Sequence, residues 1–206
     1  MITARHTKLC VTFFNLYTPL ILNRSFNNIT IRGLINFRND PLLVIGNHFS
    51  WWDGFFVYYL NQKVFRKKYH VMMLEEQLKK RMFLNKAGAF SIKKNTRSII
   101  ETLEYTAGLL QNPQNMVAVY PQGEIASLYH YPVKFEKGIL HVLKKTKAIQ
   151  IIFYAALIDY FSKRKPDLNF YLEEFHFHPG ISVTEIEDAF NAHLLNSIQS
   201  QKPPEV

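Results

Sequence analysis

The chain's pattern predicts an α/β fold: a single domain with a mixed, partly parallel central sheet flanked by helices, preceded by an N-terminal amphipathic helix. Three observations predict it. Short apolar runs alternate with helical stripes, the order that builds parallel sheets. The 206 residues suit one domain, and neither an internal repeat nor a long linker divides them. Hydrophobic residues make up 48% and aromatics 15%, ample for a core and incompatible with disorder.

The first helix runs from Leu9 to Leu22. Phe13, Leu16, Tyr17, Leu20 and Ile21 recur at i, i+3, i+4, i+7 and i+8, one helical face. Thr12 and Asn15 form the thin polar side, and Arg5 and Lys8 precede the run. These 14 residues, broken by Thr12, Asn15, Thr18 and Pro19, are too short to span a bilayer. No small-residue cleavage site follows, so they do not read as a signal peptide. The apolar face packs either on its own domain or into the headgroup boundary, with the basic flank on anionic lipid. Both readings hold if the face is shared.

Ile29 to Phe37, with Gly33 inside, reads as a strand, and Leu42 to Ile45 as a buried one. Asp53 to Leu60 is an aromatic helix, Lys68 to Leu74 a strand, Glu75 to about Asn85 a polar helix, and Phe90 to Lys93 a short strand. Ile99, Leu103, Ala107 and Leu110 mark a helix over 96–110 that Pro113 stops. Met116 to Val119 is the next buried strand, 138–147 a basic helix, and Ile149 to Ile158 an apolar strand. Leu168 to His178 alternates as a strand, and Thr184-Glu185-Ile186-Glu187 opens the last helix with a capping-box pattern. The expected organisation is a membrane-interfacial helical segment at 1–26, an α/β domain at 27–200 and a tail at 201–206.

Lys and Arg number 25 against 16 Asp and Glu, a formal charge of +9. Such an excess suits nucleic acid, an anionic membrane or a phosphorylated substrate. The basic residues come in scattered short groups, among them Arg66-Lys67-Lys68, and no nucleic-acid-binding motif accompanies them. Nucleic acid is therefore not the expected partner; a basic nucleic-acid- or membrane-binding module without catalysis is the alternative reading. The single cysteine, Cys10, excludes a disulfide framework and a Cys-based zinc site and reads as a small hydrophobe. Glu174, His176 and His178 share one face of their predicted strand, but no third-ligand motif joins them and no metal is expected.

In sheets of this kind the reactive groups sit just beyond the carboxyl ends of the strands. After Leu42–Ile45 come Gly46-Asn47-His48-Phe49-Ser50-Trp51-Trp52-Asp53. An imidazole takes a proton near neutral pH, and a carboxylate holds its tautomer and stabilises the imidazolium. Five positions on one helix are about 140° apart. His48 and Asp53 meet only if His48 lies in the turn before the helix and Asp53 in its first turn. Val117-Ala118-Val119-Tyr120-Pro121-Gln122-Gly123-Glu124 repeats the layout of buried strand and turn, and Phe135-Glu136-Lys137-Gly138 opens a basic helix, a candidate anion site.

Taken together these residues resemble the glycerolipid and lysophospholipid acyltransferases of the 1-acylglycerol-3-phosphate acyltransferase type. NHFSWWD matches that family's Asn-His-(four residues)-Asp signature, and Gly88 to Lys94 looks like its second block. Tyr120 to Glu124 is similar to the third block, usually Phe-Pro-Glu-Gly-Thr, and Phe135 to Gly138 resembles the Phe-Lys-x-Gly element. Ile149 to Ile158 falls where the apolar fourth block lies, so the resemblance spans 27–158.

The resemblance implies transfer of a fatty acyl group from acyl-CoA or acyl-carrier protein to a hydroxyl of a lysolipid, with no further cofactor. His48 would take the acceptor's proton and Asp53 would orient and stabilise His48. Asn47, Lys93, Lys94, Pro121, Gln122, Gly123, Glu124 and Lys137 would contact substrate, with Lys94, Lys93 and Lys137 toward phosphate and Gly123 beside the acceptor or developing oxyanion. Phe49, Trp51 and Trp52 would line the acyl or interface entrance. No covalent intermediate is needed, in keeping with the absence of a Gly-x-Ser-x-Gly turn. Peripheral or monotopic membrane association on the cytoplasmic face follows from the same resemblance. This chain departs from the pattern in three places: Lys94 stands for the usual Arg, Gln122 and Glu124 for the usual Glu and Thr, and no proline lies near Ile151. Because Glu124 is unfavourable beside a phosphate, a non-phosphate or glycosylated acceptor stays open.

Overall fold

The computed structural model describes residues 1–93, 98–146, 148–178 and 180–202. Its centre is a seven-stranded sheet in the order β1-β7-β6-β2-β5-β3-β4. The strands are β1 (Ile29–Arg32), β2 (Leu42–Gly46), β3 (Lys68–Leu74), β4 (Ala89–Ile92), β5 (Asn115–Val119), β6 (Gln150–Asp159) and β7 (Asp167–Phe175). Every neighbouring pair is parallel except β6 and β7. The expected α/β domain with a mixed, mostly parallel sheet is therefore what forms.

The helices are α1 (Lys8–Ser25), α2 (Asp53–Leu60), α3 (Glu75–Lys80), α4 (Met82–Asn85), α5 (Ser98–Leu109), α6 (Gly138–Lys144) and α7 (Val183–Gln199). They cover both faces, which explains why β2 and β5 are buried at every residue and read as unbroken apolar runs. Leu43 and Ile45 enter one core with Leu103, Ile139 and Phe190 of α5, α6 and α7. Leu42 and Val44 point the other way, into a core with Phe14, Leu22 and Phe56 of α1 and α2.

Several boundaries differ from those read in the sequence, each for a local reason. β1 stops at Arg32 because Gly33 adopts φ +100° and passes so close to the Leu172 backbone that a Cβ would collide with it. The polar helix after β3 breaks into α3 and α4 at Arg81, whose φ of −138° and ψ of 50° are not helical. α7 is capped two residues earlier than expected: Ser182 Oγ accepts from Glu185 N–H while Glu185 reaches back to Ser182 N–H. β7 ends at Phe175, so His176 and His178 lie beyond it, and Glu174 is held by Arg38 at 2.6 Å. Glu174, His176 and His178 thus do not share a strand face.

The largest difference concerns α1. The helix buries Phe14, Thr18 and Leu22, and of the stripe that periodicity singles out only Tyr17 and Ile21 pack partly against the domain. Leu9, Phe13, Leu16 and Leu20 stay exposed, Leu16 by 71%. The helix is apolar on two sides, and one side faces solvent. No helix among the described residues is long and apolar enough to cross a membrane.

Residues ahead of α1 run along the open edge of β4. Ser91 N–H donates to Ile2 O, Arg5 N–H to Asn85 O, and His6 Nε2 meets Tyr69 O at 2.8 Å. His6 stacks edge-on against His70, which is 2% exposed on β3. Burial first, then His6 and Lys68 nearby, push the His70 pKa down to about 4. Its native state therefore binds fewer protons than the unfolded chain between about pH 6.5 and 4. Stability falls as pH falls through that window, by roughly 3 kcal/mol from this residue. His70→Asn flattens the acid limb of a denaturation series run from pH 7 to pH 4.

Candidate active site

The carboxyl ends of β2 and β5 lie side by side, since Ile45 pairs with Val119. Residues 47–53 leave β2 and 120–124 leave β5, so the two motif loops emerge together.

Asp53 is the first residue of α2, and His48 lies in the loop ahead of it. That is the geometry the spacing required. His48 Nδ1 sits 2.7 Å from Asp53 Oδ2. The same oxygen accepts from the N–H groups of Phe49 and Ser50, both at 2.9 Å, so the loop curls around the carboxylate. Asp53 is 1% exposed, and its Oδ1 has no hydrogen-bond partner among the described residues. Burial raises the Asp53 pKa above the ordinary carboxylate value, against the lowering effect of His48 and the two amides. An ionised carboxylate only accepts, so Nδ1 carries the ring hydrogen and Nε2 keeps its lone pair. The ring is 24% exposed and lines a crevice of about 10 Å³ with Phe49, Gln122, His130 and Leu194.

Three further contacts fix His48. Gln122 Oε1 accepts its backbone N–H at 2.7 Å, and its carbonyl accepts from Ala126 N–H. Tyr120 stacks on the imidazole with centroids 4.5 Å apart and planes 21° off parallel. The Tyr120 hydroxyl donates to Asp53 O at 2.8 Å and accepts from the Tyr154 hydroxyl at 2.9 Å. Gly46 makes room for this pair, because a Cβ there would strike the Tyr154 ring.

The other sequence-selected residues fall in varied places. Asn47 is buried and clamps the backbone of Ala156 on β6 through both amide atoms. Pro121 is buried, and its carbonyl accepts from Glu136 N–H. Gly123, at φ 71°, gives its N–H to Tyr120 O, so that donor is already used. Glu124 and Lys137 are exposed, and Lys93 approaches Glu75 at 3.4 Å. Lys94 lies outside the described residues. Trp51 is 59% exposed, whereas Trp52 packs among Phe26, Phe55 and Phe56. Sequence reasoning did not single out Tyr120, Tyr154 or His130. Two tyrosines placed in or at the end of buried strands were the available signal for the first two, since buried hydroxyls need partners.

Tyr120→Phe keeps the stack but leaves the buried Tyr154 Oη without its acceptor, so stability drops by about 1–3 kcal/mol. Tyr154→Phe costs less, because Tyr120 still donates to Asp53 O. Chemical denaturation of the two variants checks that order.

A family model described as acyltransferase matches residues 28–157, which include both motif loops. Among solved structures the chain is similar to the 1-acyl-sn-glycerophosphate (LPA) acyltransferase, PlsC, from Thermotoga maritima. The TM-score is 0.65 at 13% identity, covering 93% of this chain and 80% of that one. No curated protein matches the chain in sequence.

Proposed function

The chain belongs to the acyltransferase family, and on that premise we propose that it moves a fatty acyl group from an acyl thioester to a hydroxyl of a lysophospholipid or related glycerolipid. The observation that carries this reading is the 2.7 Å contact between His48 Nδ1 and a buried Asp53, which leaves Nε2 as the base at a solvent-reached crevice. Nε2 takes the acceptor's proton as its oxygen attacks the thioester carbonyl. The carbon–oxygen bond forms, the carbon–sulfur bond breaks, and the proton passes to the leaving thiolate. Asp53 holds the tautomer and offsets the charge on the imidazolium, and Tyr120 and Gln122 hold the ring where Asp53 can reach it. Acyl-CoA and acyl-carrier protein are the two donors, and no cofactor enters the chemistry. The similar Thermotoga maritima structure is that of a 1-acyl-sn-glycerophosphate acyltransferase, which supports a phosphate-bearing acceptor. Release of free thiol, followed with acyl-CoA and acyl-carrier protein against a panel of lysophospholipids and glycolipids, tests the proposal. Thiol release that depends on a lysolipid supports it; no dependence on any acceptor overturns it.

Lipid acceptors live at an interface, and the surface supports contact with one. The exposed stripe of α1 continues through a run of ring contacts, Phe13 stacked on Tyr17, then tilted pairs of Tyr17 with Phe55 and Phe55 with Trp51, to the loop that carries His48. We therefore assign the protein a peripheral position on an anionic, cytoplasmic-face membrane with this strip in the headgroup layer. Leu16→Glu combined with Leu20→Glu lowers sedimentation with anionic vesicles by about tenfold or more. Both residues are exposed, so the circular dichroism spectrum stays unchanged.

A further inference from the structure

The antiparallel hairpin of β6 and β7 outlasts the strand beside it. Gly46, the last residue of β2, pairs with Tyr154, and β6 runs on to Asp159. At about 3.3 Å per residue, that extension carries the hairpin roughly 16 Å past the end of β2, on the side where His48 lies.

The turn that closes the hairpin holds a residue that fits it badly. Lys163 N–H donates to Tyr160 O at 2.9 Å, which makes Tyr160 to Lys163 a tight turn. Phe161, at its first central position, has φ 45°. That conformation suits glycine, asparagine or aspartate, and a bulky ring adopts it at a cost. Packing does not offset the cost. Phe161 is 39% exposed and Tyr160 58%, and neither joins either hydrophobic core. Strain of this kind concentrates at functional sites.

The rest of the turn is basic and tied down. Lys163, Arg164 and Lys165 follow the two rings. The carboxylates at the base of the hairpin are engaged: Asp167 accepts from Lys163 at 2.6 Å and from Asn27 at 3.0 Å, and Asp159 accepts from Gln201. Arg164 is exposed and makes no ion pair or hydrogen bond among the described residues. Lys165 Nζ donates to Arg24 O and Asn27 N–H to Pro166 O, both at 2.8 Å, so the turn is pinned to the C-terminal end of α1.

That pin makes the turn continuous with the exposed stripe of α1. Leu16, Leu20 and Arg24 follow at four-residue steps on one helix face, and all three are exposed. The stripe therefore passes through Arg24 to Lys165, Arg164 and the two rings. Exposed rings rimmed by cations match an anionic bilayer, where rings settle at headgroup level and cations face lipid phosphate.

We propose that the β6–β7 turn is a second membrane contact, which places Tyr160 and Phe161 in the headgroup layer of an anionic bilayer with Arg164 and Lys165 on lipid phosphates. Together with the α1 contact, on which this reading rests, it fixes how the protein lies and turns the loop carrying His48 toward the lipid.

An environment-sensitive fluorophore attached through single cysteines tests it, in the full chain carrying Cys10→Ser, with phosphatidylglycerol or phosphatidylcholine vesicles. A label at Phe161→Cys gains emission on phosphatidylglycerol vesicles. A label at Leu34→Cys, which is more exposed and lies at the opposite end of the sheet, does not. Phe161→Gly lowers binding to phosphatidylglycerol vesicles by about fivefold or more, as loss of an inserted ring does. Its thermal midpoint holds, because glycine accepts φ 45°. Arg164→Gln weakens the same binding by about fivefold and leaves phosphatidylcholine unchanged. Emission that rises for a label at Leu16→Cys but not at Phe161→Cys leaves α1 as the contact and overturns the role of the turn. Equal gains at Phe161→Cys and Leu34→Cys overturn it as well. Silence at Leu16 and Phe161 on both vesicle types removes the membrane reading itself.

Discussion

His48→Ala loses about 10²–10⁴-fold in acyl transfer, the range expected when a positioned base is removed. The loss falls on turnover, because the base acts as the acceptor oxygen attacks and contributes little to holding either substrate. The fold survives. His48 is partly exposed, and the turn it leaves is still tied by Phe49 and Ser50 N–H to Asp53 and by Ala126 N–H to the backbone of residue 48. A variant that unfolds would lose the far-UV spectrum together with activity, so the two are measured side by side. Wild-type turnover in folded His48→Ala removes this residue from the mechanism.

Asp53→Asn produces a loss of the same order, about 10²–10⁴-fold, by a different route. Phe49 N–H, Ser50 N–H and His48 Nδ1 all meet the one oxygen Oδ2, so the asparagine oxygen keeps these contacts with its NH₂ in the place of Oδ1. The tautomer then survives, but the negative charge that offsets the imidazolium is gone, and that loss falls on the proton-transfer step. The effect on stability has the opposite sign. Burial raises the Asp53 pKa, so the native state holds a proton more readily than the unfolded chain. Between the ordinary carboxylate value and that raised value, stability falls as pH rises, because folding buries a charge. Asparagine carries none. Asp53→Asn therefore matches or exceeds the wild type in denaturation at neutral pH while its turnover collapses. A variant that is both inactive and much less stable would make Asp53 a structural residue and not a positioning one.

The chemistry of this site was legible where it is local. Buried runs flanked by loops located β2 and β5, and the five-residue interval from His48 to Asp53 specified a loop-to-helix junction, which α2 supplies. Contacts that depend on strand order were not legible. Gln122, read as a substrate contact, turns its Oε1 to the backbone N–H of His48, 74 residues away in sequence. The hydroxyl chain from Tyr154 through Tyr120 to Asp53 joins β6 and β5 to α2. Its geometry exists only once those strands flank β2.

α1 shows a second limit. Periodicity finds an apolar stripe but cannot decide between two on one helix. The stripe through Leu16 and Leu20 is the more regular, yet the residues buried are Phe14, Thr18 and Leu22, and the Phe14 ring meets Phe55, Tyr58 and Phe83. Capping shows the same ambiguity at smaller scale. Ser182 and Thr184 each precede a glutamate by three residues, and only the final turn of the approaching chain selects Ser182.

The most direct test of the central claim is product analysis. Wild-type protein is incubated with an isotopically labelled acyl thioester and 1-acylglycerol 3-phosphate in anionic vesicles, and the lipids are resolved by mass spectrometry. The account predicts label in a diacylated lipid, at a rate that disappears with His48→Ala. Label recovered only as free fatty acid, or a diacylated product formed equally by the His48 variant, contradicts it.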